Sequence, residues 1–273
     1  MFVGPKIVKD GLVLALDAAN AKSYPGTGTT WEDLSGNNNC TLTNGPTFDS
    51  ENGVIVFDGT NDLGVVSQIS APTNTSTSIE VFMRFNDLNI MDPTTDQMNY
   101  ILSDPRSGNA DGHQTRIVTD SNQSIPLITY KSRCQYNLTT ELYIFYGYIQ
   151  ILGNGMNNYP TIFRKYYNSA GEEQTELFEV YYPEMINGNF FHYIWSLQNS
   201  DLGSRVIKHY LNGNEISGVY GNHTQDWNLF NIISIRIFER SNSSVSVFRI
   251  YDRPLSEIDS LKNYNAQKTR FGL

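Results

Sequence analysis

Hydrolysis of a glycosidic bond needs two carboxylates, about 5 to 5.5 Å apart for retention and roughly 6.5 to 9.5 Å apart for inversion. The strand-like segment best placed to carry such a pair is Ser78-Ile79-Glu80-Val81-Phe82-Met83-Arg84, and it holds Glu80 with no second carboxylate two or four residues on. Glu172 and Glu173 are neighbours and would face opposite sides of a strand; Glu176 and Glu179 are out of phase for the same reason. Glu80 is therefore expected as an exposed side chain on the outer surface of a sheet, and the chain is not expected to be an enzyme.

His113, His192, His209 and His223 are scattered, with neither His-x-His nor His-Glu-x-x-His spacing, so no zinc site is legible. His192 falls in a core strand and reads as a hydrogen-bonded core residue. Serine-hydrolase elbows, phosphate-binding loops and dinucleotide fingerprints are absent from the sequence. Cys40 and Cys134 lie far apart with no Cys-x-x-Cys motif and are most simply free thiols.

Two sets of side chains could hold something. Asp58, Asn61 and Asp62 in the turn Asp-Gly-Thr-Asn-Asp offer the oxygen donors that calcium takes, with Asp17 or Asp33 as further donors. Asp and Asn are equally what a tight turn selects, so a purely structural turn stays open. For sugars, rings beside amides are the usual chemistry, and Tyr24, Trp31, Asn222, His223 and Trp227 are the loop candidates. Trp31 and Trp227 could instead plug the ends of a sandwich.

The elements that must position these groups are short apolar or alternating runs separated by turns, the pattern of a many-stranded sandwich. Strands are expected at 12–16, 54–57, 78–85, 114–118, 125–130, 141–151, 161–167, 175–182, 190–198, 205–211, 232–238 and 245–251. Asn212-Gly213 reads as a hairpin turn. The polar stretch 20–45 is expected as a surface loop, with Trp31 its exception. Near the end, Arg-Pro-Leu-Ser-Glu-Ile-Asp-Ser-Leu-Lys-Asn-Tyr reads as a helix capped by Ser256, with Leu255, Ile258, Leu261 and Tyr264 three residues apart on the face that docks.

In 273 residues, 17 Tyr and 14 Phe supply bulk for a core between two sheets, so disulfides are not needed. One domain over 1–273 is expected, with a less regular, inserted stretch around 86–160. The net charge of −9 and the absence of Lys/Arg clusters along the sequence argue against a nucleic-acid partner. The apolar run near the N-terminus is broken by Lys6, Lys9 and Asp10, too short for a signal peptide or a membrane span, so no membrane partner is expected.

Both ends of the chain resemble a known family. Gly-Leu-Val-Leu-Ala-Leu-Asp from Gly11, Gly-Val-Ile-Val-Phe-Asp-Gly-Thr-Asn-Asp from Gly53, and Val-Phe-Arg-Ile-Tyr-Asp-Arg-Pro-Leu-Ser-Glu-Ile from Val247 are similar to laminin-G-like, concanavalin A-like jelly rolls, in the version found in structural proteins of tailed bacteriophages, cyanophages especially. The resemblance implies an all-β jelly-roll sandwich of two antiparallel sheets with a short C-terminal helix. It also implies a non-enzymatic virion protein of tail, fibre or capsid surface, located in the virion and working in symmetric homo-oligomers. Its partners would be other virion proteins, with a host glycan or receptor also in reach. Calcium near a sandwich edge is a further implication. Glycoside hydrolases of the same superfamily carry Glu-x-Asp-x-x-Glu on one strand, which the segment around Glu80 lacks. A cellular lectin or adhesin module and a laminarinase-like hydrolase remain the alternative readings.

Overall fold

A computed structural model describes residues 6–36, 38–67, 76–86, 99–103, 114–119, 126–133, 146–153, 160–167, 173–179, 189–199, 205–215, 234–238 and 241–273. They form a jelly-roll β-sandwich of two antiparallel sheets and one short C-terminal helix.

The first sheet runs in the order β16 (Asn214–Glu215), β15 (Arg205–Leu211), β14 (Phe191–Asn199), β7 (Thr77–Phe85), β18 (Asn242–Tyr251), β5 (Val54–Asp58) and β4 (Thr47–Asp49), with β1 (Leu12–Asp17) paired to the far end of β18. The second runs β13 (Glu173–Glu179), β12 (Pro160–Tyr167), β11 (Tyr146–Gly153), β10 (Pro126–Arg133), β9 (Gln114–Thr119), β8 (Asn99–Ser103), β17 (Ser234–Ile237), β6 (Leu63–Ser67), β3 (Cys40–Thr43) and β2 (Thr30–Trp31). The stretch around 86–160 thus supplies β8 to β11 of the second sheet.

Alternation fixes the core. Ile79, Val81, Met83 and Phe85 of β7 line the face turned to the second sheet, where Phe238, just past β17, meets Phe57 and Phe248 at ring-centre distances of 5.2 and 5.6 Å. On the second sheet Cys40, Val66 and Ile237 are fully buried, and Gly64 lies so close to Cys40 and Ile237 that a Cβ there would stand 2.6 Å from the Cys40 sulfur. The buried Cys40 is a free thiol, held well above its ordinary pKa by burial. Cys134 lies outside the described residues.

Most expected strands are found within a few residues of their sequence positions, and Asn212 and Gly213 turn the β15–β16 hairpin with φ of 50° and 88°, both in the left-handed region that such a turn requires. Two expectations fail. The stretch 20–45 is not merely a surface loop. It carries β2 and β3, and Tyr24 and Asp33 are buried beside Trp31, the exception expected. Polar bonds hold it in place: Tyr24 Oη donates to the Gly28 carbonyl, and the Asp33 carboxylate accepts the amides of Ser35 at 2.8 Å and Asn38 at 3.1 Å from within the stretch and that of Ala15 in β1 at 2.8 Å.

The second failure concerns α1 (Glu257–Gln267). Its start is as expected: Ser256 accepts the Asp259 amide, and the Asp259 carboxylate accepts the Ser256 amide, a reciprocal capping box. Its face is not. Of the four apolar residues expected to dock, Leu255 is buried and Tyr264 half-buried, but Ile258 is 80% exposed and Leu261 45% exposed. The helix residues buried against the sheet are Ser260, Asn263 and Gln267. A polar face docks because the sheet presents polar partners to it, described next.

Candidate functional site

Glu80 sits at the middle of the first sheet, opposite Arg249 of β18 and Ile194 of β14. Strand alternation places it on the face away from the sandwich core, and there α1 covers it, so it has no solvent exposure. The expectation of an exposed outer-face Glu80 is overturned: the face is as expected, but a helix lies over it.

Its carboxylate is fully engaged. Oε1 lies 3.0 Å from His192 Nε2 and accepts from Arg249 at 3.0 Å; Oε2 accepts from Tyr251 Oη at 3.0 Å and from the Asn263 amide at 2.9 Å. Four bonds match the acceptor sites of an ionised carboxylate. Burial, the largest single influence, works to raise the Glu80 pKa, but the Arg249 guanidinium, His192 and the Tyr251 hydroxyl outweigh it and hold it at about 2. For Tyr251, burial and the adjacent Glu80 charge both push the hydroxyl up, so it remains a donor at neutral pH.

The helix closes the cluster. Asn263 donates to Glu80 and to Tyr251 Oη, while its oxygen accepts the Val8 amide at 2.7 Å, binding the N-terminal segment into the same knot. With its amide oxygen turned to the guanidinium, Gln267 accepts from Arg249. Phe82, His192, Tyr264 and Phe271 stack around the edge, with Phe82 and His192 4.4 Å apart. Outside the knot, Arg270 makes a paired contact with Asp17 at 2.7 and 3.1 Å.

Chemically this arrangement is a lock. A proton donor must be able to lose its proton near neutral pH and reach a substrate. Glu80 is held ionised, and none of its four partners is a carboxylate. His192 is the core histidine expected, bonded to Glu80 through Nε2.

A second buried imidazole lies on the other side of β14 and β15: His209 Nδ1 is 2.6 Å from Tyr193 Oη, and burial pulls its pKa down to about 4. Among the described residues its Nε2 has no hydrogen-bond partner.

The Asp58–Asp62 turn is closed by its own carboxylates and by Asn44. Asp62, 5% exposed, accepts the Asp58 amide at 3.1 Å; Asp58 accepts the Thr60 amide at 2.7 Å; the Asn61 carbonyl accepts from Asn44. Asp17 and Asp33 do not join them, being committed to Arg270 and to the 20–45 stretch. Among the described residues no three His, Cys, Asp or Glu side chains are grouped to hold a metal ion. Of the sugar-binding candidates, Trp31 has no exposed surface and Tyr24 only 4%, so neither offers a ring face to a ligand. Asn222, His223 and Trp227 lie outside the described residues, as do His113 and Glu172.

Sequence reasoning named Glu80 and His192 but not Arg249, Tyr251, Asn263 or Gln267. The available signal was Arg249 inside an otherwise apolar strand, a charge that burial permits only with a partner.

No family model matches the chain, and no curated protein does. Solved structures do. The binding domain of botulinum neurotoxin DC in complex with SialylT superposes with a TM-score of 0.56 at 12% identity, over 94% of this chain and 51% of that one. A structure concerned with the dependence of botulinum neurotoxin type C cell entry on interaction with two ganglioside molecules gives 0.55 at 14%, with the same coverage. Trypanosoma rangeli sialidase in complex with 2,3-difluorosialic acid gives 0.54 at 11%, over 98% of this chain and 35% of that one. The chain spans about half or less of the length of these structures, and the likeness is one of fold.

Proposed function

We propose that this chain is a non-catalytic glycan-binding sandwich carried on the surface of a tailed-phage virion, where it attaches to other virion proteins in symmetric copies. The observation that carries the non-catalytic part is the sealed Glu80 lock: the strand glutamate that sequence singled out is ionised, fully bonded and covered by a helix. Support for glycan recognition comes from the folds it resembles, among them structures concerned with gangliosides, SialylT and 2,3-difluorosialic acid. Support for the virion setting comes from the motifs at both ends of the chain.

A glycan array, run beside a hydrolysis assay on the bound sugars, tests the first part. Binding without turnover is expected; release of sugar by the wild-type chain would overturn it. Mass spectrometry of purified particles tests the setting, and consistent absence from them would leave the cellular lectin as the better reading.

A further inference from the structure

On the outer face of the first sheet, α1 and the 3-10 turn Lys268–Phe271 lie over the part that carries Glu80, and the Phe271 ring meets Phe82 at 5.0 Å and Phe190 at 4.8 Å. Two residues beyond Phe82 on β7 stands Arg84, on the same face. Strand register sets out a line from it: Arg84 of β7, Ser244 of β18, Val56 of β5 and Thr47 of β4 are successive cross-strand partners. Arg84 and Val56 are half-buried, Thr47 is exposed and Ser244 is buried between them. Three strand spacings put about 14 Å between the two ends, long enough for a short oligosaccharide.

Two donors on this row are unused among the described residues. The Arg84 guanidinium lies 4.9 Å over the centre of the Phe190 ring, and no hydrogen bond or ion pair engages it there. Asn86, exposed at the end of β7, accepts the Ser244 hydroxyl at 2.6 Å through Oδ1, which leaves its amide hydrogens to a ligand. Asp49 is near enough to feel the Arg84 charge, but its oxygens accept from Glu51 and Asn52 within its own turn. A guanidinium offers a planar fork that fits a carboxylate through two parallel bonds, and stacking on a ring fixes the fork before the ligand arrives.

We infer that this row binds a carboxylate-bearing sugar, with Arg84 gripping the carboxylate, the Asn86 amide and Thr47 hydroxyl bonding sugar hydroxyls, and Val56 lying under an apolar ring face. The inference rests on the glycan-binding reading above and gives it a place and a ligand class. A neutral sugar fits less well, since it would cover the half-buried Arg84 charge without pairing it. A polynucleotide also fits poorly, because one cation on a chain of net charge −9 does not hold a polyanion.

The test is binding of the full chain to three probes: sialylated or uronic-acid oligosaccharides, their neutral counterparts, and an oligoglutamate peptide. Wild type is compared with Arg84→Gln, with Asn86→Asp, and with Lys262→Gln on the exposed side of α1 as control. The expected result is preference for the acidic sugars, weakened by salt, with a loss of roughly tenfold or more in Arg84→Gln, the size of one charged hydrogen-bonded pair, and none in the control. Asn86→Asp keeps the acceptor for Ser244 while placing a negative charge beside Arg84, so a several-fold loss there keeps the test open should Arg84→Gln fail to fold. Equal binding of neutral and acidic sugars, or acidic-sugar binding untouched by both variants, would overturn this inference and leave the glycan-binding reading standing. Binding of no sugar would sink both, and preference for the peptide with loss in Arg84→Gln would reassign the row to an acidic protein partner.

Discussion

Asn263 and Glu80, 183 residues apart, are joined by a 2.9 Å hydrogen bond from the Asn263 amide to the Glu80 carboxylate. The same amide donates to Tyr251, and its oxygen accepts from Val8, so one side chain ties helix, central strand, last strand and N-terminal segment together. Asn263→Ala is expected to cost about 2 to 3 kcal/mol, because it leaves buried polar groups unpaired. Chemical denaturation measures it; a change under 0.5 kcal/mol would show that the helix docks by other means.

Glu80→Gln removes the charge that compensates Arg249 while keeping shape. Breaking a buried pair from one side costs roughly 3 to 5 kcal/mol, so a large fall in melting temperature is expected. Glu80→Gln combined with Arg249→Met should recover part of it, since no buried charge is then left alone. A double-mutant cycle reads the coupling directly.

Acid should destabilise the protein in two steps. His209 is held neutral in the fold, about 4 against an ordinary 6.5, so the unfolded chain takes up the proton first and stability is lost as pH falls from about 6.5 towards 4. Glu80 is held ionised, about 2 against 4.5, so its stabilisation is present above pH 4.5 and is lost as pH falls towards 2. Unfolding free energies at pH 7, 5 and 3 resolve the two steps. His209→Gln should flatten the first and leave the second; an unchanged first step would assign it elsewhere.

Ile258→Glu should be nearly neutral, within about 0.5 kcal/mol, because the side chain is 80% exposed. Ser260→Leu, on the buried face of the same helix, should cost about 1 to 3 kcal/mol by overpacking. Melting temperatures of the two variants decide which face of α1 docks, and the reverse ranking would reinstate the apolar face.

How far sequence reaches is visible in this helix. Its cap was legible because Ser256 and Asp259 act locally, within one turn. Its orientation was not, because apolar spacing names a dockable face only where the receiving surface is apolar, and the surface here is Glu80, Arg249 and Tyr251. Glu80 shows the same boundary: period-two alternation correctly separates it from Ile79 and Val81, but says nothing of what lies on the far side.

The antiparallel pairing of β1 with β18 brings Leu12 beside Tyr251, so the chain enters and leaves the sandwich at one corner. A pulling force applied through residue 8 and residue 263 would meet those ladder bonds one after another, as a zipper, instead of loading all of them together in shear. The Asn263–Val8 bond is the first stitch in that path. Under tension this corner opens first, while the two sheets behind it carry no load until it has.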